Sequence, residues 1–319
     1  MALGIRELVP DPLLTDIAME AGTGGGFAVE ELVPRRSVER AEFKYAMWDI
    51  GLLTSDETET LVAPGDIPKR KLDSAITYVT GLVKSHGLRE MITIADAAQA
   101  PNLNALERAK VNGMVWSLRR AKELRFRDLV NDTASVAHAT PGVKWDAAGG
   151  TNVVIEANID AAKALFRLQN GVPATHIIIP PNVSVVMKRD PTIRELIKYT
   201  QNDLLVNGDL PPTVFGLKVV IPGGIVNSAA AGAASALANI WTADNVVLAY
   251  VNMTAATDPT AMTCVCEFGV GFEPGGAAFP TMSYPDPEPS REVTWYWTKH
   301  SWTMEWVAGC LYIINDVLT

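Results

Sequence analysis

The sequence contains few of the side chains that most often carry catalysis or bind metals. Three cysteines and four histidines occur in 319 residues, and no H-E-x-x-H, G-x-x-x-x-G-K-[ST] or G-x-S-x-G motif is present. Cys264 and Cys266 lack the second cysteine pair that a zinc site would need. The sequence therefore predicts no catalytic residue, no cofactor-binding residue and no metal ligand. A hydrolase assembled from Cys310 and a distant histidine stays open as an alternative that nothing in the sequence favours.

A surplus of positive charge and long apolar runs are also missing. The net charge of −9 argues against a protein whose main task is to bind the phosphate backbone of nucleic acid. Nowhere do 18 apolar residues run together, and Met1–Pro10 lacks the basic start and apolar run of a signal peptide. We therefore expect no membrane association. We also expect a reducing cytoplasm, in which Cys264 and Cys266, on one face of a strand, stay unbridged.

The start of the chain predicts an arm followed by an extended ribbon. Residues 1–42 hold a glycine cluster and no long apolar period, so we expect them to be mobile or to lie on a neighbouring molecule. Aromatic and β-branched runs predict strands at 43–50 and 75–83, and the second strand has apolar residues on both faces. A two-stranded ribbon with two apolar faces is marginal in water, so this ribbon should lie on something else.

Charged residues mark the tip of this ribbon and the end of the arm. One limb of the tip is acidic and the other is basic. Identical subunits can set the acidic limb of one copy against the basic limb of the next, so we predict that these residues lie at subunit interfaces. The candidate interface residues are Asp56, Glu57, Glu59, Lys69, Arg70, Lys71, Arg35 and Arg36.

The strongest helix signal runs from Leu103 to Val130. Asn102 supplies an N-cap, and apolar residues recur at three- and four-residue steps over a rod of about 42 Å. The opposite face is basic. We interpret it as a solvated face with pairs such as Glu123 and Arg127. The alternative is that part of this face meets an acidic surface of another subunit.

After residue 158 the pattern predicts a compact α/β lobe and then a strand-rich segment. The predicted elements of the lobe are helices at 160–169 and 190–199, strands at 176–179 and 217–221, a small-residue loop at 228–241 and a hairpin at 239–251 around Ala243–Asn245. The later predicted elements are a proline-rich bend at 280–289, a strand at 291–307 and a closing strand at 309–317. We interpret His176 as a structural residue. The four tryptophans of the 291–307 strand are interpreted as core or subunit-contact residues rather than a stacking platform for bases or sugars.

The order of these parts and several stretches of sequence resemble one family. The stretches are APGD at 63–66, YVTGLVKSHGLRE at 78–90, LRRAKELRFRDLVND at 118–132, HIIIPPNVSVVMKRDPTIRELIKYTQ at 176–201, VFGLKVVIPGG at 214–224, SAAAGAASALANIWTADNVVLAYV at 228–251 and GCLYIINDV at 309–317. Over about residues 40–319 the chain resembles the HK97-like major capsid proteins of tailed bacteriophages. The resemblance implies an α+β fold whose parts are an N-terminal arm (1–42), an extended β-ribbon or E-loop (43–93), a P-domain with the spine helix (94–157), a compact α/β A-domain (158–262), P-domain return strands (263–308) and a closing A-domain strand (309–319).

The same resemblance implies a structural protein and not an enzyme. It implies a subunit that self-assembles through hexamers and pentamers into an icosahedral head, located in the virion and assembled in the bacterial host cytoplasm. The implied partners are other copies of the chain, a portal, a decoration protein and packaged double-stranded DNA that is held without sequence-specific binding. A separate scaffolding protein is expected because no long charged helical region opens the chain, unless a leader has been removed. No cofactor is implied.

Two other functions remain as alternatives. An encapsulin-type cellular nanocompartment shell protein would share the fold and hold enzyme cargo instead of DNA. A cytosolic α/β hydrolase or transferase would be a small oligomer with a pocket of titratable groups. Particle size separates the enzyme from the two shells, and DNA content separates the shells from each other.

Overall fold

In the computed structural model, two β-sheets are linked by one long helix. The structure describes residues 26–48, 62, 64, 66–67, 76–100, 102–147, 155–198, 210–229, 233–258, 261–270, 281–286 and 293–319. The first elements along the chain are α1 (Ala28–Leu32), β1 (Arg35–Val38), β2 (Glu42–Trp48), β3 (Ile76–Leu82), β4 (Lys84–Thr93), α2 (Ile94–Gln99), α3 (Leu103–Val130) and β5 (His138–Ala139). Those that follow are α4 (Ile155–Asn170), β6 (His176–Ile178), α5 (Pro181–Met187), α6 (Pro191–Lys198), β7 (Thr213–Val214), β8 (Leu217–Val220), β9 (Ile225–Asn227), β10 (Leu237–Asn239), β11 (Val246–Ala249), a 3₁₀ turn (Met253–Ala256), β12 (Val265–Val270), β13 (Thr281–Pro285), β14 (Val293–Trp306) and β15 (Leu311–Ile314).

Helix α3 is uninterrupted and confirms the predicted bounds. It begins at Asn102, whose side-chain oxygen accepts a hydrogen bond from the Ala105 backbone N–H at 3.4 Å. The first half of the helix shares a hydrophobic cluster with β4 and β14, whose members are Ile92, Val111, Met114, Val115, Leu118 and Tyr296. Phe126 and Val130, in the last turns, belong instead to the main core of the lobe. The helix therefore joins the two cores.

The first sheet, here called the spine sheet, is organised around β14. This 14-residue strand pairs antiparallel with β4 from Val293↔Thr93 to Trp302↔Lys84. It also pairs antiparallel with β13 and, near its end, with β12, which in turn pairs parallel with β1. Because β4 and β13 pair with the same residues of β14, they flank it on opposite sides. The predicted strand at 291–307 is confirmed, and its Trp302 is buried as expected for a core residue.

The second sheet, here called the lobe sheet, has the strand order β5-β15-β11-β6-β8-β7. Its central strands β11 and β15 are buried along their whole length, and each has a strand on both sides. The predicted hairpin at 239–251 is therefore wrong. Strand β11 pairs antiparallel with β6 and β15, whereas β10 pairs with β9. The turn signal at 243–245 connects strands of different sheets, which a local pattern cannot distinguish from a hairpin.

Other predicted bounds need correction. Residues 27–33 were predicted as part of a mobile or neighbour-bound arm, but Phe27, Val29 and Leu32 are buried in the main core of the same chain. The predicted loop at 228–241 contains β10, which pairs with the preceding strand β9. The predicted bend at 280–289 contains β13, which pairs with the following strand β14. Helix α4 begins at Ile155, five residues before its predicted start. Helix α5 was not predicted, because its valines have low helix propensity and only Pro181 at the first turn marks it.

Candidate functional site

The two-stranded ribbon formed by β2 and β3 is the first candidate assembly surface. The strands pair antiparallel from Glu42↔Leu82 to Trp48↔Ile76, which confirms both predicted strands. Directly opposed residues share a face, so one face carries Phe43, Tyr45 and Val79. This face packs on β12, with the ring of Phe268 4.6 Å from that of Phe43 and 5.2 Å from that of Tyr45. The ribbon thus rests partly on its own chain.

Gly81 of β3 is required by this packing. A Cβ atom built at Gly81 would lie 2.6 Å from the ring of Phe43, directly opposite in β2. No side chain larger than hydrogen fits there without moving the ring. The glycine therefore leaves room for the Phe43 ring, which contacts Phe268.

The opposite face of the ribbon carries two large exposed side chains. Tyr78 is 74% exposed and Leu82 is 56% exposed, although both are large and apolar. The predicted apolar residues on both faces are present, and what is corrected is their surroundings. One face packs on β12 of the same chain, and on the other face the described residues leave Tyr78 and Leu82 exposed. Two large exposed side chains on one face mark a candidate contact.

The structure describes two of the eight predicted interface residues. The six charged residues of the ribbon tip, Asp56, Glu57, Glu59, Lys69, Arg70 and Lys71, lie outside the described residues. Arg35 and Arg36 are described, and both bond within the chain. Arg35 Nε lies 3.3 Å from the Glu267 carboxylate, and Arg36 donates to the backbone oxygens of Ala255, at 2.9 Å from Nε, and Asp258, at 3.0 Å. Their role between subunits stays a prediction.

The basic side of α3 is not simply a solvated face. Arg119 and Lys122 are buried, and Lys122 pairs with Glu267 of β12, which is itself buried. Arg119 lies 3.3 Å from Glu30 of α1. Burial lowers the pKa of Lys122 to about 8, and the Glu267 carboxylate partly opposes that shift. These cations hold α1 and the spine sheet against the helix.

The predicted pair of Glu123 with Arg127 is wrong. Glu123 is fully buried, and its carboxylate accepts from the backbone N–H groups of Ala28 (3.2 Å) and Val29 (3.0 Å) and from Trp241 Nε1 (2.7 Å). Arg127 donates to the backbone oxygen of Ile240 at 2.8 Å. Burial raises the pKa of Glu123, and the three N–H donors oppose the shift. A four-residue spacing cannot reveal that a carboxylate turns inward to bind distant backbone groups.

A cleft of about 730 Å³ lies across β4, β13 and β14. Its lining combines aromatic, aliphatic and cationic side chains: Leu88, Arg89, Tyr284, Trp297 and Lys299. Arg89 Cζ lies 4.6 Å from the ring centroid of Trp295, a cation–π distance. Trp297 and Trp295 share the sheet face turned away from α3, because their neighbour Tyr296 packs towards the helix. The sheet face is therefore a second candidate contact.

The cysteines are not placed for nucleophilic chemistry. All three are buried and unbridged. Burial raises the pKa of Cys264 to about 11 and that of Cys266 and Cys310 to about 12, so the reactive thiolate is scarce at neutral pH. Over the described part of the chain, no group of three potential metal-ligating side chains comes together. Nor is any helix there both long and apolar enough to cross a bilayer.

Comparison with known proteins identifies the family. The model of the family described as phage capsid protein matches residues 78–279. The chain belongs to the phage capsid protein family. As a member it is a structural subunit of a virion shell, and its predicted α+β, HK97-like fold is confirmed.

Solved structures agree with this fold at low sequence identity. A phage-related protein from Bordetella bronchiseptica RB50 is 16% identical, with a TM-score of 0.67 over 97% of the capsid chain and 98% of its own. The capsid of cyanophage P-SCSP1u is 11% identical, with a TM-score of 0.57 over 92% and 89%. An encapsulin from Synechococcus elongatus PCC 7942 is 12% identical, with a TM-score of 0.51 over 92% and 89%. No curated protein matches the sequence.

Proposed function

We propose that this capsid protein builds the icosahedral head of a tailed bacteriophage around double-stranded DNA, through hexamers and pentamers of the chain. The observation that carries the proposal is a ribbon with one face packed on β12 and the other face carrying exposed Tyr78 and Leu82. Tyr78 and Leu82 leave apolar area that the described part of the same chain does not cover. Repeated contacts between identical copies, closing into rings and then a shell, would bury it.

The division of the chain supports the same proposal. We assign residues 1–42 to an arm, 43–93 to the E-loop, 94–157 and 263–308 to the P-domain, and 158–262 with 309–319 to the A-domain. The spine sheet and α3 correspond to the P-domain, and the lobe sheet to the A-domain. Because β15 inserts between β5 and β11, the last strand belongs with the lobe although it follows the spine strands. Within the proposed arm, Phe27, Val29 and Leu32 pack in the main core, and β1 pairs with β12 of the spine sheet.

The partners we propose follow from the same role. A shell subunit with a net charge of −9 suits a container that holds DNA without sequence-specific contacts. Assembly in the host cytoplasm would use a separate scaffolding protein, with a portal at one vertex and a decoration protein outside. The role is structural, and we propose no catalytic activity.

Substitution of the uncovered ribbon face tests the proposal. We expect the double variant Tyr78→Ser, Leu82→Ser to fold normally, because both side chains are exposed, but to form few particles. The matched control Tyr78→Phe, Leu82→Met keeps the apolar area and should assemble like the wild type. Circular dichroism reports the fold, and sedimentation with electron microscopy reports particles. Normal particle yield from the serine variant would remove this face from the assembly contact.

An encapsulin-type shell is a second candidate, because the encapsulin likeness spans 92% of the chain. Nucleic acid in nuclease-treated particles purified from the native source would support the phage head. Particles without DNA but with a co-purifying enzyme would support the nanocompartment.

A further inference from the structure

Two histidines face each other across strands of the spine sheet. His86 of β4 lies directly opposite His300 of β14. Both lie on the face that turns towards α3, since Ile92 and Tyr296, an even number of residues away on the same strands, pack against that helix. The ring centroids of His86 and Trp302 are 4.6 Å apart. His300 is only 6% exposed.

The groups that surround this pair are mainly cations. Lys122 Nζ lies 5.5 Å and Arg125 Cζ 5.3 Å from the ring centroid of Trp302, so the helix presents two cations over the strand pair. The charged groups that act on the two rings are Lys122 and Arg125 from α3, Arg35 from β1 and Lys84 from β4. The nearby carboxylate of Glu267, from β12, is already paired with Lys122 and Arg35. Among the described residues, an added positive charge here would meet these cations and a carboxylate that is already paired.

The pair is connected directly to the ribbon. Strand β3 ends at Leu82, a single residue follows, and β4 begins at Lys84. His86 is therefore the third residue of the strand into which the ribbon runs. Any loosening of β4 from β14 at this end changes the anchor of the ribbon.

We propose that the His86–His300 pair is a pH-sensitive latch, which holds the base of the ribbon against the spine sheet while both rings are neutral and loosens it when they gain protons. A proton from solvent on either ring adds a positive charge close to Lys122 and Arg125. The resulting repulsion separates the first residues of β4 from β14 and α3. The consequence for the shell rests on the proposed function of the ribbon. The latch itself is a property of the single chain.

The titration behaviour agrees with this geometry. Burial, and after it Lys122, Arg35 and His86, together lower the pKa of His300 to about 3. Burial, then Arg125 and Lys84, lowers the pKa of His86. A histidine whose pKa is lowered while β4 is held against β14 binds a proton more readily once β4 has separated. The closed state therefore becomes less stable relative to the open state as pH falls below about 6.5. For His300 alone the closed-to-open ratio should drop roughly tenfold between pH 7.5 and 5.5.

Hydrogen–deuterium exchange of the full chain at pH 7.5 and 5.5 tests the latch, after correction for the intrinsic pH dependence of exchange. In the wild type we expect residues 76–93 to exchange roughly tenfold faster at pH 5.5, relative to strands β11 and β15 of the lobe sheet. The variant His86→Gln, His300→Gln should lose that acceleration. The exposed His138→Gln is the matched control and should behave like the wild type.

The outcomes separate the latch from the shell proposal. If the double variant does not fold, His86→Gln alone, at the more exposed position, should still reduce the acceleration. Equal pH dependence in wild type and both variants, or none in the wild type, would overturn the latch. Particle formation is scored separately by sedimentation, so absence of particles counts against the proposed function and leaves the exchange result intact.

Discussion

Single residues hold the capsid subunit together at the start of α1. Glu123 provides one carboxylate for three N–H donors, two of them at the first turn of that helix. A buried charge of this kind is tolerated because every oxygen is used, and it becomes costly when a partner is lost. The sequence places Glu123 correctly on α3, but its inward turn depends on Trp241 and Ala28, which are distant in the chain.

The variant Glu123→Gln should destabilise the subunit by about 1–3 kcal/mol. The amide has one acceptor oxygen, and its NH₂ group would face at least one N–H donor that is left without an acceptor. Urea unfolding of wild type and variant measures the difference. Glu156→Gln, on an exposed position of α4, is the control and should change stability by less than about 0.5 kcal/mol. Equal stability of Glu123→Gln and wild type would mean that this carboxylate does not secure α1.

At the scale of elements, the ribbon and α3 contain glycines with opposite requirements. Gly81 leaves room for the ring of Phe43 within the ribbon. Gly113 lies in the middle of α3, and a Cβ atom there would meet no atom within 4 Å. The same substitution therefore has opposite consequences in the two elements.

We expect Gly81→Ala to cost about 1–3 kcal/mol, because the added methyl group displaces the Phe43 ring from Phe268. Gly113→Ala should instead stabilise the subunit by about 0.5–1 kcal/mol, the usual gain in a helix interior. Urea unfolding gives both values, and near-ultraviolet circular dichroism reports the aromatic contact. A stable Gly81→Ala variant with an unchanged aromatic signal would contradict the ribbon packing.

Sequence patterns predicted some elements well and others poorly, for physical reasons. Helix α3 and strand β14 carry long periodic signals, and both were predicted nearly residue for residue. Strands β10 and β13 are short, and each is joined to its partner strand by a small-residue or proline-rich connection, so the local pattern indicates only loops. For the candidate site, the ribbon was predicted, but the division of its two faces depends on Phe268, which follows much later in the chain.

At the scale of the whole molecule, the predicted role of the ribbon-tip charges is to form ion pairs between neighbouring subunits. The acidic limb holds Asp56, Glu57 and Glu59, and the basic limb holds Lys69, Arg70 and Lys71. One exposed ion pair contributes only about 0.2–1 kcal/mol. A closed shell repeats the contact in every subunit, so small contributions add across the particle.

The triple variant Lys69→Glu, Arg70→Glu, Lys71→Glu should therefore fold but assemble poorly. Higher salt should weaken wild-type assembly modestly, since such pairs are screened over about 10 Å at 0.1 M salt. Sedimentation gives particle yield, and circular dichroism reports the fold. A matched triple reversal at exposed lobe positions, Arg167→Glu, Arg189→Glu and Arg194→Glu, changes net charge equally. If both triple variants assemble alike, the tip charges have no specific role between subunits.

The seating of α1 sets a limit on how far the N-terminus can be trimmed. Phe27, Val29 and Leu32 fill the main core, and Glu123 needs the backbone of residues 28 and 29. A cut before residue 26 leaves this plug in place. A cut after residue 33 would expose apolar core residues. It would also leave the buried Glu123 carboxylate with one of its three hydrogen-bond donors, Trp241. A protease that trims the subunit without unfolding it must therefore cut before Gly26. A protein fused to the N-terminus must likewise be joined before that residue.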